Sequence, residues 1–129
     1  GLVTLGEELE FVKAFMYMME IRFARKLLFS IDIDQRGKDL KIPVLSLLPL
    51  LDNVVVHNTI DSEHKMVVKI WLNENEELVV SSPIFPKLIP PATNGIGLKN
   101  LESRFSLLMN KHIRIENDGK LFSIYLPLK

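Results

Sequence analysis

The chain has 129 residues, 47% hydrophobic and 25% charged, enough to bury one sizeable core and the balance of an ordinary globular domain. Lys+Arg and Asp+Glu number 16 each, so the formal net charge is zero, which argues against a nucleic-acid partner or an anionic membrane surface. With no cysteine there is no disulfide, thiolate metal site or cysteine nucleophile, and no apolar run approaches the roughly 18 residues of a membrane span.

The first expected element is a long amphipathic helix. Leu5, Leu9, Val12, Met16, Met19 and Phe23 recur at spacings of three and four, one buried stripe. Thr4, followed three residues later by Glu7, reads as a capping box. A second apolar line through Phe11, Phe15 and Met18 either packs in the core or meets a partner helix or second subunit.

Lys26 to Asp34 alternates towards its end and reads as a strand, and residues 35–38 as a turn. A helix is expected from about Pro43 to Asn58, with Pro43 in its first turn. Two strands, 65–73 and 77–82, form a hairpin, with Trp71 expected in the core. Residues 83–97 hold Pro83, Pro86, Pro90 and Pro91, which forbid a regular helix or central strand. A loop of this length inside one domain is often a functional lid. Gly97 to Asn110 reads as a helix with Leu98, Leu101, Phe105, Leu108 and Met109 on its buried face. The chain then closes with a hairpin turning at Asn117-Asp118-Gly119. Strands arriving mostly as hairpins, with helices between them, predict an α/β two-layer sandwich: a mixed, mostly antiparallel sheet with helices on one face. Residues 1–129 are expected to form a single domain.

Two places carry polar groups in a pattern. On the helix containing Leu47, one side gathers Val44, Leu47, Leu48, Leu51, Val54 and Val55, and the other Ser46, Pro49, Asn53 and His57. The Asn53 amide beside the Asp52 carboxylate is oxygen-donor chemistry suited to Mg²⁺, although such a face is often merely solvated. Pro49 within a helix removes a backbone hydrogen bond and bends the axis. Further on, Gly95-Ile96-Gly97-Leu98-Lys99-Asn100 opens a helix with two glycines, where backbone N–H groups and a cation suit an anion. A tight turn gives the same residues. His57, His64 and His112 lack the spacing of a metal cluster.

In order and spacing, these two stretches resemble a known family. Residues 42–53, running on to His57, resemble the N-box of LytS-like sensor histidine kinases, which reads I-P-P-x-x-L-Q-P-L-V-E-N-A-x-K-H. Residues 95–100 resemble its G-x-G-L-x-N box, and Arg104 falls where the family has an arginine. Glu7-Glu8-Leu9, Arg22-Phe23 and the closing Leu126-Pro127-Leu128 match as well.

The resemblance implies a GHKL (Bergerat-type) ATP-binding catalytic domain of a two-component sensor histidine kinase, a piece of a longer protein, that uses ATP and Mg²⁺. By position Asn53 would hold the metal, and Asp52 would sit where the family has a base or polariser. His57 and Asn58 would lie near the nucleotide, and Gly95, Gly97, Leu98, Lys99 and Asn100 would shape the end of the lid and receive phosphates. The implied partners are a phospho-acceptor histidine domain of the parent protein and a response regulator; the second apolar line of the first helix adds a second copy as a candidate partner. The implied place is the cytoplasmic side of a parent anchored in the inner membrane, with no membrane contact by these residues.

Two positions depart from the family. Its adenine-reading Asp-x-Gly-x-Gly is replaced by residues 81–85, Ser-Ser-Pro-Ile-Phe, so a serine, with Ser81 the candidate, or an ordered water would stand in for the aspartate; the N-box lysine is replaced by Val56. The alternative function is a non-catalytic module of the same fold, kept for dimerisation or docking.

Overall fold

The computed structural model describes residues 1–92 and 96–129. A short strand β1 (Leu2–Thr4) leads into α1 (Leu5–Arg22), and the Thr4 hydroxyl caps the helix by accepting the Glu7 N–H at 3.1 Å. Leu5, Leu9, Val12 and Met16 bury the predicted stripe. Two successive residues with positive φ, Ala24 and Arg25, end the helix and turn the chain back. Strand β2 (Leu27–Asp32) follows, and then a single helical turn, α2 (Gln35–Lys38), capped by Asp34. The sequence suggests only a turn there.

The next segment departs from expectation. Lys41–Pro43 is a strand, β3, paired antiparallel with β1 through Leu2↔Pro43, Val3↔Ile42 and Thr4↔Lys41. Helix α3 therefore begins at Leu47 and runs to His57, later than the Pro43 start expected. Tertiary pairing overrides the local preference, because β1 supplies Ile42 with partners and buries it fully. The later start also changes the meaning of Pro49. It is the third helical residue, where the N–H has no intrahelical acceptor, so the proline removes no bond.

Strands β4 (Met66–Leu72) and β5 (Glu77–Pro83) form the predicted hairpin; α4 spans Ile96–Met109; β6 (Arg114–Asn117) and β7 (Leu121–Pro127) close the chain. The main sheet has the order β2-β4-β5-β7-β6, parallel only between β2 and β4. Its inner face carries Leu27, Met66, Val68, Ile70, Leu78, Val80, Ile124 and Leu126. Against them pack the buried faces of α1, α3 (Leu47, Leu50, Leu51, Val54, Val55) and α4 (Leu101, Phe105). This is the predicted two-layer sandwich.

Three residues with a core reading fall elsewhere. Trp71 pairs with Val79 on the opposite face of the sheet and is only half-buried. On α1, Phe11 and Met18 are 56% and 58% exposed, because they point away from the stripe that meets the sheet. Among the described residues no helix is long and apolar enough to cross a membrane.

Candidate functional site

A concavity of about 760 Å³ opens between α3, the ends of β5 and β7, and the start of α4. That volume suits a small-molecule ligand. Its helical wall comes from Pro49, Asp52, Asn53, Val54, Val56, His57 and Asn58. Asp52 is exposed, whereas Asn53, His57 and Asn58 are half-buried. The α4 side is Gly97 and Leu98.

The floor is set by strand register. Ser82 of β5 lies directly across from Phe122 of β7, and Phe122 across from Asn117 of β6. All three line the cavity, with Ile84 and Pro86 continuing the edge. Ser82 is almost wholly buried.

Asn58 closes the helix end. Its Nδ2 donates to the Val54 carbonyl and its Oδ1 accepts the Phe85 N–H, both at 2.8 Å. Thr59 N–H also donates to the Phe85 carbonyl at 2.7 Å. These bonds fix the segment after β5 against α3, so the Asn58 amide is occupied with holding the wall.

Most of the residues singled out in the sequence converge here: Asp52, Asn53, His57, Asn58, Gly97 and Leu98 all line one cavity. Ser81 does not. Strand alternation turns it to the other face of the sheet, where it sits opposite Ser123 and accepts its hydroxyl at 3.2 Å. The serine that faces the cavity is Ser82. Lys99 and Asn100 are exposed on α4 and do not line the cavity; Gly95 lies outside the described residues. Asn117 and Phe122 carry no signal in the sequence, since only the pairing of β6 and β7 brings them to the floor.

The chemistry on offer is oxygen donors at one side and an apolar slot at the other. The Asn53 amide and Asp52 carboxylate are hard ligands of the kind Mg²⁺ takes when phosphates supply the rest. Among the described lining residues none is Lys or Arg, so negative charge would be met by such a metal, by His57 and by the N–H groups opening α4. Val54, Ile84 and Phe122 supply surface against which a flat ring can lie.

No protein-family model matches the chain. It is 27% identical over 150 aligned residues to the sensor protein LytS of Oceanobacillus iheyensis, covering all of this chain and 26% of LytS. It is 30% identical over 113 residues to the sensor histidine kinase YesM of Bacillus subtilis, covering 82% of this chain and 20% of YesM. The chain thus spans about a quarter or less of these relatives. Among solved structures it resembles the catalytic domain of histidine kinase ThkA with a TM-score of 0.64 at 16% identity, covering 99% of this chain and 97% of that one.

Proposed function

We propose that this chain, a relative of the LytS-like sensor histidine kinases with the fold of a histidine kinase catalytic domain, binds ATP with Mg²⁺ in the cavity between α3 and the β5–β7–β6 floor. It would present the γ-phosphoryl to a histidine on a phospho-acceptor domain outside these residues. From there the phosphoryl would pass to a response regulator. Residues 1–129 would act as one catalytic domain on the cytoplasmic side of a parent anchored in the inner membrane.

The observation that carries this reading is the convergence, in one cavity of about 760 Å³, of Asp52 and Asn53 with Gly97 and Leu98 from a distant part of the chain. In this reading Asn53 offers an amide oxygen to the metal, and Asp52 orients the incoming nucleophile. Gly97 leaves backbone exposed at the mouth, because among the described residues a Cβ there would meet nothing within 4 Å beyond its own stretch of helix. Mg²⁺ would supply the charge neutralisation that an absent lysine does not.

The test is thermal stability with and without millimolar Mg²⁺-ATP. Ligand at 100 times its dissociation constant adds about 2.7 kcal/mol. We expect a rise that needs Mg²⁺ and that Asn53→Ala removes. An equal rise with and without Mg²⁺ would end the role assigned to Asn53, and no rise at all would end the nucleotide reading.

A second reading is a non-catalytic docking module. It is favoured by Phe11, Met18 and Ile21, each more than half exposed along one side of α1. Under this reading a second copy docks on that face and nucleotide is irrelevant. Sedimentation of the chain, alone and with Phe11→Glu and Met18→Glu together, tests the docking face, and the Mg²⁺-ATP melt above separates the two readings.

A further inference from the structure

We infer that the base-binding end of this cavity does not distinguish a 6-amino from a 6-oxo purine, and that Ser82 is the residue responsible. The inference rests on the nucleotide reading above and concerns which nucleotides the same site takes.

The floor is the row Ser82–Phe122–Asn117, fixed by the pairing of β5, β7 and β6; it runs from buried Ser82 through half-buried Phe122 to exposed Asn117. Phe122 is the aromatic surface of that row, and a flat base lying beside it brings its polar edge to the neighbours on either side. Those neighbours are a hydroxyl and a primary amide. Ser82 is 2% exposed, so whatever meets it is removed from water. Among the described lining residues Asp52 is the one acid, and it is exposed on α3 rather than set in the floor. The Asn58 amide is engaged with the Val54 carbonyl and the Phe85 N–H.

A buried carboxylate in that floor would only accept hydrogen bonds. It would draw in the 6-amino group of adenine and repel the 6-oxygen of guanine. A hydroxyl rotates: it accepts from an N–H and donates to a carbonyl. Strong discrimination between such analogues arises when one of them leaves a buried polar group unpaired. With Ser82 neither purine does so.

The experiment is calorimetric titration of this chain with ATP and with GTP, each with Mg²⁺. We expect the two dissociation constants to agree within about threefold. Ser82→Ala should weaken both nucleotides by a similar factor, about fivefold. Ser82→Asp should favour ATP over GTP by at least about tenfold; if that variant does not fold, Ser82→Ala still decides the matter. A tenfold preference by the unaltered chain, or a Ser82→Ala effect confined to one nucleotide, overturns the inference and leaves the nucleotide reading standing. Binding of neither nucleotide removes both.

Discussion

The buried carboxylate of Glu8 on α1 accepts the backbone N–H of Leu45, 37 residues along the chain, and so caps α3 from outside. Ser46, at the N-cap position, makes no side-chain cap bond of its own, because its hydroxyl donates to the Pro43 carbonyl. Arg104 of α4 donates to the Leu45 carbonyl at 3.3 Å. Three helices therefore meet at one residue just ahead of the segment that carries Asp52 and Asn53. Among the described residues the second oxygen of Glu8 is buried without a hydrogen-bond partner, so the contact is held at some cost.

Removing this cap should destabilise the whole chain. Glu8→Ala leaves buried N–H groups at the start of α3 without an acceptor, a loss of about 1–3 kcal/mol. Urea unfolding at neutral pH would measure it. A midpoint equal to that of the unaltered chain would mean that water replaces the carboxylate.

The same residue predicts a pH dependence. Burial raises the Glu8 carboxyl above its ordinary value of 4.5, opposed by the N–H groups of Leu45, Ser46 and Leu47 and by Arg104. The folded chain then holds this proton at a pH where the unfolded chain has released it. Its contribution to stability is full below 4.5 and is lost as pH rises through the elevated folded value. Glu8→Gln should flatten that part of the curve. If the two curves stay parallel from pH 4.5 to 7, the proton belongs to another group.

Neighbouring serines should behave oppositely. Ser81→Ala should leave nucleotide affinity unchanged, since that side chain bonds Ser123 on the far face of the sheet. Ser82→Ala should not. Equal effects of the two substitutions would place the ligand elsewhere.

Gly97 separates stability from binding. Among the described residues, Ala at this position meets no atom within 4 Å beyond its own stretch of helix, and it improves helix propensity, so the ligand-free chain should gain about 0.5 kcal/mol. Nucleotide affinity should fall, because the added methyl group occupies the mouth of the cavity. Thermal melts with and without Mg²⁺-ATP read both effects; an affinity that rises with stability would argue against phosphate at the start of α4.

Phe105 tests the core. It is fully buried on α4, and truncation to Ala should cost about 3–5 kcal/mol, seen as a lower unfolding midpoint in urea. A loss below 1 kcal/mol would mean that α4 is not docked through this residue.

Much was legible in the sequence, because local periodicity and turn chemistry act over a few residues. The stripe from Leu5 to Met16, the two hairpins and the Asp118-Gly119 turn, with Gly119 at φ +87, all follow from neighbouring residues. So does the grouping of Asp52, Asn53 and His57, which share one helix. Pairing between distant segments decided the rest. Whether Pro43 ends a strand or starts a helix depends on Leu2 across from it. Whether Ser81 or Ser82 faces the cavity depends on which face of β5 the helices cover, and a one-residue change of parity exchanges them. Phe122 and Asn117 become a floor only when β7 pairs with both β5 and β6. Hydrogen-bond register between strands far apart in the chain leaves no mark on the residues beside it, so only the folded chain could place those side chains.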